Sequence, residues 1–275
     1  MSTDSEKTEA KPVRRPAQVN MGTGKLKLLI GPVPRVVGTL FSLSTEMVDA
    51  ARDLACDIVE VRLDQMMRQK DWLERCRKIQ AAGMPVILTV RHKSEGGKWN
   101  RPESERLKLY AEAIKHLAAV DVEFKSSIAP AVAKLARQNR KVCILSHHNF
   151  KGMTPLDEIR SVVASAGKIG SIVKIVTLVE SRRGVSRLRE LVNEGARVPL
   201  CVMGMGFWGE STRVLFPALG SCLTYGYLDV PAAPGQPFAP NLVKQLRQII
   251  PQYDKEFTTR KLRLQVTESE MSLFL

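Results

Sequence analysis

A chain of 275 residues with 44% hydrophobic content holds one large α/β domain or two small ones, with apolar material for a sizeable core. No apolar run reaches the length of a membrane span, and no signal-like segment precedes residue 27, so a soluble, cytoplasmic protein with no membrane partner is expected. The net charge of +14 suits either a nucleic-acid backbone or a small anion; the Lys and Arg residues are spread along the chain without a dense basic helix or finger, so nucleic acid is not expected.

Residues 1–33 lack hydrophobic periodicity until Leu26 and carry Pro12, Pro16 and Pro32, the composition of a disordered N-terminal arm. The first strand falls at 35–40. Strands and helices then alternate: helix 46–55, strand 57–62, helix 70–82, strand 85–90, helix 103–118, strand 119–123, helix 128–138 and strand 141–146. Helix 103–118 has Leu107, Tyr110, Ala111, Ile114, Leu117 and Ala118 on one face. Helix 155–166 starts at Thr154-Pro155, an N-cap followed by proline in the first turn. Strand 171–177, helix 183–195, strand 199–203, helix 211–218 and strand 221–227 follow. A Pro/Gly loop at 231–240 leads to helix 241–250, capped by Asn241 and ended by Pro251. The polar tail 252–275 has no evident place.

Eight apolar strands alternating with helices imply a parallel sheet. The fold class expected is an α/β, (β/α)8 TIM-type barrel over 34–251, flanked by the arm 1–33 and the tail 252–275. A doubly wound open sheet is the competitor. Five cysteines, at 56, 76, 143, 201 and 222, form no CxxC and no Cys/His cluster, so neither a metal site nor a disulfide framework is expected.

In a barrel the chemistry lies at the C-terminal ends of the strands. The second strand ends Glu60-Val-Arg62-Leu-Asp64, the third runs into Arg91 and Glu95-Gly-Gly97, and the fourth contains Asp121 and Glu123. The fifth ends Ser146-His147-His148-Asn149, and Arg213 follows the seventh. Lys174 interrupts the sixth, Ser-Ile-Val-Lys-Ile-Val-Thr, between β-branched residues. Alone it reads as a lysine reaching from a strand end to water. Among these neighbours it reads as an amine, desolvated by its apolar flanks and lowered in pKa, that attacks a ketone to form a Schiff base. A histidine would move the proton, and adjacent His147 and His148 face opposite ways, so one of them enters the mouth. Glu95 suits an imidazolium partner, and Arg213 an anion such as a substrate carboxylate.

Gly204-Met-Gly206-Phe-Trp-Gly209 matches GxGxxG, with Asp229 twenty residues on, the outline of a dinucleotide fingerprint. Too little chain follows for a dinucleotide-binding half, so the match is read as a glycine-rich loop after the seventh strand and not as a dinucleotide site.

Taken in order, Glu60-Val-Arg-Leu-Asp64, Thr89-Val-Arg91 with Glu95-Gly-Gly97, Ser146-His-His-Asn-Phe150 with Thr154-Pro155, the Lys174 strand, Thr212-Arg213, Gly220-Ser221 with Thr224, and Ala233-Pro-Gly-Gln236 resemble the type I 3-dehydroquinate dehydratases over about residues 34–250. The resemblance implies a dimeric shikimate-pathway barrel that dehydrates 3-dehydroquinate, a small anionic cyclic hydroxy-ketone, to 3-dehydroshikimate without cofactor or metal. It implies Lys174 as the Schiff-base lysine, His148 as the general acid/base and Glu95 as its partner. It implies substrate contacts from Glu60, Arg62, Arg91, Arg213 and, from a closing loop, Gln236. The chain departs at Ala232, where the family often has serine, and in the bulk of Phe207-Trp208, expected near the mouth. The alternatives are another Schiff-base lyase or aldolase on a hydroxy-ketone, and a barrel that binds a ligand or nucleic acid without catalysis.

Overall fold

A computed structural model describes residues 17–22, 28–49, 53 and 55–272, and side chains as far as Leu264 apart from isolated gaps. Two short strands, β1 (Val19–Asn20) and β2 (Leu29–Ile30), precede eight longer ones: β3 (Arg35–Leu40), β4 (Ile58–Arg62), β5 (Val86–Thr89), β6 (Ala119–Glu123), β7 (Val142–Asn149), β8 (Ile172–Leu178), β9 (Leu200–Met205) and β10 (Leu223–Tyr227). The eight pair in parallel in the order β10-β3-β4-β5-β6-β7-β8-β9. At the seam between β9 and β10 the Cys222 N–H donates to the Leu200 carbonyl at 2.9 Å, and the Val202 N–H to Ser221 Oγ at 3.0 Å. The (β/α)8 barrel expected from the strand pattern is thus the architecture observed, with all eight expected strands in place. No helix among the described residues is long and apolar enough to cross a membrane.

Strand periodicity explains the two cores. Val59 and Val61, Leu88 and Val90, Val120 and Val122, and Val173 and Ile175 face outward and pack under the helices. The alternate positions face inward. At the N-terminal ends these are apolar (Ile58, Ile87, Ile144, Ile172, Leu223) and build a separate inner cluster. Further along the same strands they become Glu60, Asp121, Ser146 and Lys174. One side-chain period therefore produces an apolar floor and a charged mouth.

The helices are α1 (Thr45–Asp49), α2 (Trp72–Ala81), α3 (Glu103–His116), α4 (Ala129–Gln138), α5 (Leu156–Ala166), α6 (Arg182–Glu194), α7 (Thr212–Ala218), α8 (Ala239–Ile249) and α9 (Pro251–Ser272). Of the helix expected over 46–55, residues 50–52 and 54 lie outside the described residues. Helix α5 begins at Leu156 with Pro155 in the capping position, because the Thr154 hydroxyl is engaged by Asn149 Nδ2 at 3.1 Å. Helix α8 begins at Ala239, so Asn241 lies inside it and Phe238 holds the capping position. The buried face of α3 is Arg106, Tyr110, Ala113 and Ile114, whereas Leu107 and Ala111 are only half-buried.

Both flanks contribute elements that the strand pattern did not place. Of the arm, residues 1–16 and 23–27 lie outside the described residues, but 17–22 and 28–33 are ordered around the β1–β2 hairpin. Met21, Leu28 and Ile30 are buried in the inner cluster beside Ile58, Ile87 and Leu223 and close the barrel floor. The tail is helix α9. Pro251 opens it rather than merely ending α8, since a first-turn proline gives up no helical hydrogen bond.

Helix α9 is held by a buried carboxylate. Asp57, fully buried, accepts from the Val36 N–H at 2.8 Å, the Tyr253 hydroxyl at 2.8 Å and Arg260 Nη2 at 2.6 Å. Arg260 also donates to the Asp57 carbonyl at 2.8 Å and the Cys56 carbonyl at 3.0 Å. Arg260→Met leaves a buried carboxylate without its cation and is expected to cost about 3–5 kcal/mol. Urea unfolding at constant m-value measures it, and a loss under 1 kcal/mol would show that Asp57 needs no ionic partner.

Candidate active site

At the C-terminal ends of the strands, Glu60, Arg62, Arg91, Glu95, His148, Lys174, Arg213 and Gln236 line one cavity. All eight side chains singled out in the sequence are therefore brought together. The other lining residues are Thr39, Gly96, Phe150, Val176, Met203, Met205, Tyr225, Ala232 and Ala233.

Lys174 pairs in register with Ser146 on β7 and Cys201 on β9, and its side chain points inward. The apolar flanks expected to desolvate the amine do not themselves surround it. Val173 and Ile175 face the helices instead. The amine lies 3.1 Å from Asp121 Oδ2, 3.7 Å from Glu60 Oε1 and 3.7 Å from the centroid of the Tyr225 ring. Two carboxylates and an aromatic face thus hold it in place.

Asp121 is the residue whose importance the sequence concealed. Fully buried on β6, it takes Arg91 Nη2 on Oδ1 at 2.6 Å, with the Ser146 hydroxyl on the same oxygen at 2.7 Å. Burial opposes its charge, but Arg91 and Lys174 outweigh burial and hold the carboxyl well below the usual range. Arg91 Nη1 also donates to Ser146 Oγ at 2.7 Å and lies 3.1 Å from Glu123 Oε1. Its guanidinium is thus turned toward the wall. The in-facing alternation of Ala119-Val-Asp121-Val-Glu123 was a readable signal; the cross-strand partners were not.

Strand alternation also separates the two histidines. Ile144, Ser146 and His148 face inward, while His147 turns outward to Thr154 Oγ1 at 3.3 Å. Glu95 closes a short helical turn, Lys93–Glu95, after β5. Its Oε2 lies 3.0 Å from His148 Nδ1 and accepts the His148 backbone N–H at 2.9 Å. With Nδ1–H donated to Glu95, Nε2 keeps its lone pair. Burial pushes Glu95 up to about 7, aided by Glu123 and opposed by Arg91 and the His148 N–H. Burial, with Arg91 and Lys174, pulls His148 well below its ordinary value of 6.5. The ring is therefore neutral near neutral pH.

The glycines after Glu95 have a packing reason. Gly96 has φ of +79°, and a Cβ there would lie 2.5 Å from the Phe150 ring, which stacks beside His148 with centroids 6.4 Å apart. A Cβ on Gly97 would meet the Arg91 carbonyl at 1.9 Å.

Three more groups complete the cavity. Glu60 accepts the Thr89 hydroxyl at 2.8 Å and the Thr39 hydroxyl at 3.2 Å. Arg62 forms a two-pronged pair with Asp64, both contacts at 3.0 Å. Arg213 is buried but donates only to neutral atoms, the Tyr225 carbonyl at 3.0 Å and Met203 Sδ at 3.4 Å, and its Nε has no partner. Burial pulls it down to about 10. A buried cation supplied only with neutral acceptors is suited to receive an anion.

The loop after β10 closes over the cavity. Gln236 Oε1 accepts the Ala232 N–H at 2.5 Å, Gln236 Nε2 lies 3.4 Å from Thr39 Oγ1, and the Gly206 N–H donates to the Pro234 carbonyl at 3.1 Å. Ala232 presents a methyl group to the cavity in place of a hydroxyl. Phe207 and Trp208 pack edge-to-face and do not line the cavity; Phe207 is 83% exposed. Their bulk is therefore directed away from any ligand there. The GxGxxG match is a tight turn in which Gly209 approaches Gly204 so closely that a Cβ would come within 2.4 Å of its carbonyl carbon. Asp229 accepts the Phe41 and Ser42 N–H groups at 2.8 and 2.9 Å, anchoring the start of the closing loop. Among the described residues no group of three His, Cys, Asp or Glu is arranged to hold a metal ion.

Comparison with known proteins agrees with this geometry. The model of the type I 3-dehydroquinase family matches residues 33–252. The 3-dehydroquinate dehydratase of Methanosarcina barkeri is 32% identical over 228 residues, covering 78% of this chain and 94% of the relative. That of Methanothrix thermoacetophila is 32% identical over 205 residues, 74% and 86% of the two chains. Among solved structures, the 3-dehydroquinate dehydratase of Aquifex aeolicus superposes with a TM-score of 0.70 at 26% identity, over 78% of this chain and 98% of that one. That of Geobacillus kaustophilus, at 21% identity, shares the fold with a TM-score of 0.72, over 84% and 100%. With a family model spanning the whole barrel and relatives matched along most of their length, the chain belongs to the type I 3-dehydroquinase family.

Proposed function

We propose that Lys174 carries the Schiff base of this chain's reaction, with His148 as general acid/base, Glu95 as the partner of its imidazole and Arg213 as the seat of the substrate carboxylate. The reaction itself follows from the family: a hydro-lyase of the shikimate pathway, converting 3-dehydroquinate to 3-dehydroshikimate, a dehydration of a cyclic hydroxy-ketone. The observation that carries the assignment is a single cavity lined by a buried amine, an imidazole with a carboxylate behind it, and a buried guanidinium that donates only to neutral atoms.

In this reading Lys174 Nζ forms a bond to the ketone carbon, whose oxygen leaves as water, giving an iminium. The iminium draws electrons from the adjacent carbon, and His148 Nε2 takes the proton released there. The C–O bond of the hydroxyl one carbon further on then breaks. His148 returns its proton to that oxygen, so a second water leaves and a conjugated double bond remains. Water adds back to the iminium carbon and frees Lys174. Glu95 stabilises the transient imidazolium. Glu60 and Arg62 meet ring hydroxyls, Gln236 contacts substrate from the closed loop, and Arg91 acts by fixing Asp121. Ala232 removes one hydroxyl contact, a loss of about 0.5–1.5 kcal/mol in binding. We read the chain as cytoplasmic, with the five free, buried thiols in support, and as a homodimer.

Borohydride added with 3-dehydroquinate should leave one reduced adduct on the Lys174 peptide in mass spectrometry, and none in Lys174→Ala. An adduct that survives the substitution places the chemistry elsewhere. The pH profile follows from Glu95. Its carboxyl takes up a proton as pH falls through about 7, removing the charge that supports His148. The rate constant kcat/KM should therefore drop roughly tenfold per unit below that point and level off above it. Glu95→Gln should lower the plateau and abolish this limb; a wild-type profile flat from pH 5 to 8 contradicts the assignment. Sedimentation equilibrium should give twice the chain mass, and a monomer at micromolar concentration rejects the dimer.

A further inference from the structure

Arg106 lies on α3, outside the barrel wall, and does not line the cavity. It is nonetheless fully buried. Its Nη1 donates to Glu123 Oε2 at 2.7 Å and to the Val90 carbonyl at 3.0 Å. Its Nη2 is held from the outer side by Glu103 Oε2 and Ser126 Oγ, both at 2.7 Å. Glu123 uses its other oxygen on Arg91 Nη1, at 3.1 Å, and on the His92 N–H, at 2.8 Å. Arg91 grips Asp121 at 2.6 Å, and Asp121 faces the Lys174 amine at 3.1 Å. Charges thus alternate without a gap from Arg106 through Glu123, Arg91 and Asp121 to Lys174, and every member is at most 4% exposed. One turn further along α3, the Tyr110 hydroxyl donates to the Asp121 carbonyl at 2.7 Å and braces the same strand.

We infer that Arg106, which never meets the substrate, is a positioning residue that fixes the Lys174 amine through Glu123, Arg91 and Asp121. The inference rests on the Schiff-base reading of Lys174. Glu123 lies between two guanidinium groups and divides its oxygens between them. Without Arg106 it is free to turn both toward Arg91 and the His92 loop. Arg91 would then be drawn off Asp121, and the carboxylate that locates the amine would lose its anchor. Buried pairs have few other partners to exchange with, so the displacement passes along the chain instead of being absorbed by solvent.

The test is the rate of borohydride-trapped adduct formation at saturating 3-dehydroquinate, beside kcat and KM, for Arg106→Met. The variant should bind substrate with KM within about twofold and form adduct roughly tenfold or more slowly, the size of effect that misplacing a reacting atom produces. In a Glu123→Gln background the same substitution should cost much less, because the link it acts through is already broken. An adduct rate within twofold of the unmodified protein overturns the inference. So does an equal loss in both backgrounds, which marks a merely structural arginine. If Arg106→Met does not fold, Glu103→Gln decides: it loosens Arg106 from its half-exposed outer side while Glu123 stays paired. Adduct formation severalfold slower supports the inference, and an unchanged rate overturns it. No adduct on the unmodified protein is a different failure, that of the Schiff-base reading itself.

Discussion

The barrel mouth is governed by the cost of burying charge. Lys174, Asp121, Arg91, Glu123 and Arg106 would each incur a penalty of several kcal/mol if buried alone. They are tolerated because each meets an opposite charge within 3.1 Å, so the set is close to neutral pair by pair. The pairing also explains why strands that are apolar at one end carry charge at the other. Glu60 on β4 accepts from Thr39 on β3 and Thr89 on β5, and Asp121 on β6 accepts from Ser146 on β7, so neighbouring strands supply the partners that no single strand contains.

Three groups stand at the edge of this network and differ from it in a consistent way. Glu95 and His148 are buried without a full complement of opposite charge, and burial moves both toward their neutral forms. Arg213 has only neutral acceptors. The paired set suits holding atoms still; the incompletely paired set suits exchanging a proton and accepting an anion. Lys174 belongs to the paired set, held by Asp121 and Glu60, while Glu95, His148 and Arg213 lie against the same cavity with their charge less fully compensated.

Most of the barrel and its interior were legible in the sequence because both rest on periodicity. Ile172-Val-Lys-Ile-Val announces a buried strand and an anomalous lysine together, and period-two alternation shows that one of His147 and His148 enters the mouth, the resemblance pointing to His148. What was not legible depended on partners distant in sequence. Two-residue strands such as Val19–Asn20 carry no measurable period, so the hairpin under the barrel read as part of an arm. Helix α9 gains its place from Tyr253, Phe257 and Arg260 meeting Asp57 and its surroundings, contacts that span about two hundred positions. Arg106 was concealed because an arginine beside Leu107 on an amphipathic helix ordinarily faces water. Asp121 was noticed as a charge at a strand end, but its hold on Lys174 depends on the register of three strands.

The central question is whether this amine, in this cage, performs the dehydration. Loss of water from the hydroxy-ketone leaves a conjugated enone, so turnover can be followed as a rise in ultraviolet absorbance. With 3-dehydroquinate and no added cofactor or metal, the unmodified chain should produce that rise, and Lys174→Met, with the same fold by circular dichroism, should not. Comparable turnover in the two proteins, or none in the unmodified chain, would contradict the account.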